Sequence, residues 1–158
     1  MIIVADTSPL ISLAVIDKLE LLDKLFGKVC IPPAVWQEIL LYTKKLGLSN
    51  LTKYAQKVRN VESQNELLPF MDKGEAEAVL LCREINADFL LIDDKRARAI
   101  AEVLGISCVG TLAVLIKAKK TKLLSELRPL FLQLSVQKRF FARNLLNDVL
   151  LANKEKMI

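Results

Sequence analysis

Five acidic residues, Asp6, Glu38, Glu75, Asp93 and Asp94, fall at strand ends or in the early turns of helices rather than along plainly solvated faces. Carboxylates gathered in one place repel, and without a counter-charge some of them must take up protons. A divalent cation relieves this. Mg²⁺ or Mn²⁺ takes hard oxygen ligands at about 2.0 to 2.1 Å and keeps several waters, which suits an open acidic cluster. Two such ions roughly 4 Å apart activate a water and stabilise the leaving oxygen of an in-line phosphoryl displacement. The chain has no histidine, which excludes imidazole triads, histidine general bases and histidine metal ligands. Phosphodiester hydrolysis on a carboxylate-held metal is the chemistry this inventory suits.

Those acids act together only if the fold gathers them. Short continuous apolar runs at residues 2–5, 29–31, 89–92 and 107–109 each have the length of a strand covered on both faces. Helical patterns separate them: residues 10–25 as one or two helices, then 33–45, opened by proline, 74–85, 97–104 and 111–119. Residues 48–60 predict an extra basic helix, and 61–73 mostly loop. Alternating strands and helices imply a short parallel sheet of four or five strands with helices on both faces, an α/β class of fold. The carboxyl ends of such strands share one edge, where ligands of open α/β sheets bind. Asp6 and the pair Asp93 and Asp94 sit at such ends. A helix that leads into a parallel strand starts at the same edge, which brings Glu75 there.

Four apolar residues run directly into Asp6, a charge costly to bury, while Ser8 and Pro9 suffice to cap and open a helix beginning at Leu10. Asp6 is left over. On a wheel of about 100° per residue, Ala78, Val79, Leu81, Cys82 and Ile85 form an apolar arc that includes Glu75, with Glu77 and Glu84 opposite. On the preceding helix Val35, Trp36, Ile39 and Leu40 make the buried face, with Glu38 at its margin and Gln37 pointing away. Simpler roles compete for some of these acids. Asp93 or Asp94 could cap the helix of Ala97 and Ile100, Glu75 could answer the positive end of its own helix, and Glu38 could be solvated surface. The case for a site is the coincidence of separate positions on one edge.

With 158 residues, 53% hydrophobic and 26% charged, and only five glycines and five prolines, the chain has the make-up of one folded domain. Residues 1–118 form its α/β core and 119–158 a C-terminal helical segment. No apolar run reaches the roughly 20 residues of a membrane span and no cleavable leader pattern opens the chain, so a cytoplasmic protein is expected. Cys30, Cys82 and Cys108 are far apart among apolar residues, a pattern of buried thiols and not of zinc ligands. The net charge of +5 favours an anionic partner. Lys95, Arg96 and Arg98 follow the double aspartate, and Lys117, Lys119, Lys120 and Lys122 form a second basic run. Both runs suit phosphate contact and, equally, solvated surface. Near the end of the chain Phe141, Leu145 and Val149 share one helical row and Ala142, Leu146 and Leu150 the next. Such a wide apolar face suits the core, a second subunit or an inhibitor helix.

The stretches IIVADTSPLISLA, CIPPAVWQEI, GEAEAVLL and LLIDDKRAR, in that order, resemble the PIN-domain ribonucleases, and particularly a VapC-like prokaryotic subfamily, over residues 1–118. The resemblance implies a three-layer α/β/α fold, Mg²⁺- or Mn²⁺-dependent endonucleolytic cleavage of RNA, and a toxin restrained by a small antitoxin. A homodimer and no membrane association complete the expected partners. Carried across, the family's acidic quartet falls on Asp6, Glu38, Glu75 and Asp93, as metal ligands that also orient water, with Asp94 the rival for the fourth place. The hydroxyl common after the first aspartate falls to Thr7 or Ser8, though Ser8 reads better as a helix-start residue and Thr111 as a helix cap. Two departures from the family pattern are the glutamate at 75, where many members carry aspartate, and the lack of an acidic-plus-phenylalanine ending after Asp94. Two rival readings are a catalytically degenerate RNA- or protein-binding module and a haloacid-dehalogenase-type phosphatase, which also starts from an aspartate after the first strand. That phosphatase ordinarily carries a second aspartate two residues on, where this chain has Ser8.

Overall fold

Four short apolar runs form the strands β1 (Ile2–Ala5), β2 (Lys28–Cys30), β3 (Phe89–Leu91) and β4 (Cys108–Val109) in the computed structural model, which describes residues 1–158. They pair in the order β2-β1-β3-β4, all parallel, with Val4 registered on Cys30 on one side and Leu90 on the other. The helices are α1 (Thr7–Val15), α2 (Glu20–Phe26), α3 (Pro33–Leu46), α4 (Lys73–Glu84), α5 (Lys95–Val103), α6 (Thr111–Lys120), α7 (Arg128–Val136) and α8 (Arg143–Ala152).

Successive strand residues point to opposite faces, and here both faces are covered. Ile3, Ala5, Val29 and Leu91 enter one core with α1, α2, α6, α7 and α8, while Val4, Cys30, Leu90 and Ile92 enter another with α4 and α5. That double burial is why the strands read as unbroken apolar runs. Helix α3 packs against both α1 and α4 and so bridges the two helical layers. The result is the α/β/α sandwich with all strand carboxyl ends on one edge.

Several local expectations change. Helix α1 begins at Thr7 and not at Leu10, because Asp6 is the last extended residue (ψ 167°). Pro9 then stands third in the helix, where the missing amide has no intrahelical partner to lose. Residues 10–25 divide into two helices around Asp17, whose φ of 53° is left-handed. Ser49–Lys57 forms a 3₁₀-helix anchored by Tyr54, whose hydroxyl donates to the Leu19 carbonyl and to Asp23 at 3.0 Å each. Leu40, expected on the buried face of α3, is 46% exposed, since that helix buries only Ala34, Val35 and Ile39. Glu77 and Glu84, on the outer face of α4, pin other segments. Glu77 accepts from the Ala34 amide at 2.8 Å, and Glu84 accepts from the Glu62 and Ser63 amides at 3.0 and 2.6 Å.

Leu146 and Leu150 of α8 join the core that holds Ile3 and Ala5, together with Phe131 and Leu134 of α7. The row expected to run from Phe141 is interrupted, because α8 starts only at Arg143 and Leu145 faces out. Glu155 secures this part of the chain: it accepts from the Leu127 and Arg128 amides at 2.9 and 3.0 Å and pairs with Lys119 at 2.5 Å. Lys119 is thereby committed to packing. The basic run 117–122 lies at the far end of α6, with Lys117 to Lys120 about 9 to 14 Å along the axis from Thr111 at 1.5 Å per residue, which removes it from the edge where the acids gather. Burial pushes the Cys82 thiol up to about 12 and the Cys108 thiol to about 11, so both are inert thiols. No helix is long and apolar enough to cross a membrane.

Candidate active site

Asp6, Glu38, Glu75, Asp93 and Asp94 line one cleft of about 390 Å³, together with Asp72, Thr7, Ser8, Tyr42 and Arg139. Strand β1 delivers Asp6 to the N-cap position of α1, yet its side chain makes no capping hydrogen bond. It is only 6% exposed. Burial pushes its pKa up to about 7; the Thr7 amide opposes the rise, and the carboxylates of Glu75, Asp72 and Glu38 add to it. The ion pairs of this chain, Lys57 with Asp23 and Lys119 with Glu155, both lie elsewhere. Asp6 is thus a buried acid among acids with no cation paired to it.

Glu38 reaches the cleft from the second turn of α3 and accepts a hydrogen bond from the Thr7 hydroxyl. Gly74 makes room for it: a Cβ there would lie 2.6 Å from Glu38 Oε1. Burial raises the Glu38 pKa, the Thr7 hydroxyl lowers it, and Asp72 and Glu77 raise it further. Glu75, third residue of α4, is locked in a reciprocal cap with Asp72. Its amide donates to Asp72 Oδ1 at 2.9 Å, and the Asp72 amide donates to Glu75 Oε2 at 3.3 Å. Burial, and then the Asp72 carboxylate, raise the Glu75 pKa; the Asp72 amide opposes them, and Asp94 and Glu38 contribute smaller rises. Asp72 is a sixth acid in the cleft, beyond the five expected from the sequence. The Asp-x-x-Glu spacing of a capping box was the available signal.

The two adjacent aspartates divide their work. Asp94 caps its own helix, accepting from the Ala97 amide at 2.8 Å, as one of the simpler roles anticipated. Asp93 instead reaches across to α6 and accepts from the Thr111 amide at 2.7 Å and the Thr111 hydroxyl at 2.6 Å. Thr111 is therefore not the helix cap it resembles in sequence: Gly110 holds that position and Asp93 satisfies the helix start from outside. Ser8 likewise lies inside the first turn of α1, its hydroxyl accepting from Arg139 Nη2 at 2.7 Å. Arg139, contributed by the turn after α7, had no signal in the sequence, because its partners are more than a hundred residues away.

Every acidic donor facing the cleft is a hard oxygen, the set that Mg²⁺ or Mn²⁺ prefers. No three acidic side chains are arranged to grip one ion directly, so the cleft suits an ion that keeps several waters and is held by one or two carboxylates. A buried, unneutralised Asp6 beside Glu38 and Glu75 fits such an ion. Asp93 retains lone pairs beyond the two it offers Thr111.

A protein-family model described as a PIN domain matches residues 2–155. Among solved structures, a PilT N-terminus domain protein, SSO1118, from the hyperthermophilic archaeon Sulfolobus solfataricus P2 is similar, with a TM-score of 0.56 at 20% identity, covering 75% of this chain and 93% of that one. That likeness is one of fold. No curated protein matches the chain.

Proposed function

Since this chain belongs to the PIN-domain family, whose members are generally nucleases that use divalent metal ions, we propose that it is a Mg²⁺- or Mn²⁺-dependent endoribonuclease that hydrolyses RNA phosphodiester bonds in its acidic cleft. The observation that carries this reading is Asp6, an acid 6% exposed with three carboxylates near enough to raise its pKa and no ion pair to offset them. A bound divalent ion would supply Lewis-acid polarisation of the phosphate and a more acidic water. Asp6 with one neighbouring carboxylate would hold it directly, and the others of Glu38, Glu75 and Asp93, or its rival Asp94, would hold it through its waters. Thr7 orients Glu38 and Thr111 fixes Asp93, so neither carboxylate is free to swing away from the cleft. Asp93 can then accept a hydrogen bond from a water and aim it. The phosphatase reading loses ground on sequence, because Ser8 stands where its second aspartate belongs and here serves Arg139.

RNA cleavage that needs Mg²⁺ or Mn²⁺ in the wild type, and disappears in Asp6→Asn and Asp93→Asn with the circular dichroism unchanged, is the expected result. Cleavage unaltered in both variants would trace to a contaminant and overturn the reading. We further read the chain as a VapC-like toxin restrained by a small antitoxin. Growth arrest on expression, relieved by co-expressing a short neighbouring reading frame, supports that role; harmless expression refutes it.

A further inference from the structure

A cleft lined by six carboxylates repels a polyanion, so a nuclease built this way needs cations within reach of the strand it cuts. A second groove, about 640 Å³, opens off the acidic cleft and shares Ser8, Asp93 and Arg139 with it. Its walls carry Lys95, Arg98, Lys138 and Arg139, none of them in an ion pair, while its one acid, Asp93, already accepts two bonds from Thr111. Arg139 sits at the junction. Its Nε donates to Ser12 Oγ at 2.9 Å and its Nη2 to the hydroxyl and carbonyl of Ser8 at 2.7 and 3.0 Å. These neutral partners fix the guanidinium without cancelling its charge and leave Nη1 unbonded. The next residue, Phe140, is 85% exposed, whereas Phe141 packs on the core. An aromatic ring held in water beside an anchored arginine has no structural task in the folded chain.

Resting on the ribonuclease reading, we propose that Phe140 is a stacking platform for one unpaired base of a single-stranded RNA, whose backbone Arg139 and Lys138 hold as it leaves the acidic cleft. Every base presents a π-face, so such a platform selects for unpaired nucleotides and not for sequence, and a duplex, whose faces are already stacked, cannot use it. Charge decides the occupant: a groove with four cations and one engaged acid is complementary to a phosphate chain.

The test is a binding titration in Mg²⁺ on the Asp6→Asn background, with a fluorescein-labelled 12-nucleotide single-stranded RNA and a duplex of the same length. Adding Phe140→Ala should weaken single-strand binding roughly tenfold to a hundredfold, the range for losing one stacked base, and leave duplex binding unchanged. Phe140→Trp should retain the affinity and gain an indole emission that the RNA quenches. In the otherwise wild-type enzyme, Phe140→Ala should raise KM and spare kcat. The exposure of Phe140 means that its truncation removes no core packing. Single-strand affinity unchanged in Phe140→Ala would overturn the proposal and leave this face to a protein partner, while wild-type cleavage would still uphold the nuclease reading. Stacking on Phe140 by a wild-type chain that cleaves no RNA with any divalent metal would do the reverse.

Discussion

Replacing Asp6 by Asn should make the metal-free protein more stable at alkaline pH, by an amount that vanishes in acid. A rise of the Asp6 pKa from its ordinary 3.8 to about 7 corresponds to about 4 kcal/mol, at about 1.4 kcal/mol per pH unit. The unfolded chain releases this proton near pH 4 and the folded chain near pH 7, so between them the folded state holds more protons and stability falls as pH rises. Below pH 4 the group costs nothing, and above pH 7 the cost is complete. Asn has nearly the same shape and is neutral throughout. In a chain of this size about 4 kcal/mol moves the melting temperature on the order of 10 °C. The assay is thermal denaturation of wild type and Asp6→Asn in EDTA at pH 8.5 and pH 4.5. Asp6→Asn should melt higher at pH 8.5, and the gap should shrink to about a quarter of that at pH 4.5, which is within a unit of the ordinary Asp pKa of 3.8. Millimolar Mg²⁺ or Mn²⁺ at pH 8.5 should then raise the wild type alone and narrow the gap. A wild type at least as stable as Asp6→Asn at pH 8.5 in EDTA, or a gap indifferent to pH, would refute the placement of an uncompensated acid at this position.

Gly74→Ala should separate activity from stability in the same cleft. A methyl 2.6 Å from Glu38 Oε1 must push that carboxylate off Thr7, so kcat/KM for RNA should fall at least tenfold, while a helical Gly→Ala change by itself adds up to about 1 kcal/mol of stability; a fully active variant would exclude Glu38 from the site. Glu155→Ala should destabilise the chain by roughly 2 to 3 kcal/mol in urea denaturation, because the Leu127 and Arg128 amides and Lys119 lose their common acceptor. Burial works against the Glu155 charge, but Lys119 and the two amides outweigh it and hold the carboxyl below its ordinary range. Its contribution is therefore present above about pH 4.5 and lost in acid, so the deficit of Glu155→Ala should shrink there; a constant deficit would argue that the loss is packing alone.

The sheet and its edge could be read from the sequence because double burial leaves a plain trace: Val4 and Ile3 face different cores yet both must be apolar. Helix faces were less legible. Periodicity places Leu40 inward, but α3 packs on neighbours over a narrow stripe, and periodicity cannot report how wide a stripe the neighbours cover. Caps failed for a different reason. Ser8 and Thr111 have the side chains that cap helices, yet Asp6 and Gly110 occupy the cap positions, since the local preference is a fraction of what tertiary contacts with Arg139 and Asp93 add. Arg139 and Phe140 had no local signal at all. Their meaning depends on where the turn after α7 lands, which Glu155 and the buried leucines of α8 decide from farther along the chain.

The acids of the cleft also serve the helices that begin there, and this double use explains how so many carboxylates share an edge. Helix N-termini carry a partial positive charge of about half a unit, and α1, α4, α5 and α6 all start beside the cleft. Asp72 and Asp94 each spend one oxygen on a helix start, at Glu75 and Ala97, and have another to offer. Asp93 serves α6 with both oxygens, Oδ1 at the Thr111 amide and Oδ2 at its hydroxyl, and keeps only the remaining lone pairs of each. Asp6 alone stands at a helix start without capping it, which leaves its charge the least compensated and gives it the most to gain from a cation. Asn caps a helix about as well as Asp does. Exchanging Asp72 or Asp94 for Asn therefore removes the charge and preserves the helix start, whereas Ala removes both and cannot tell a ligand from a cap.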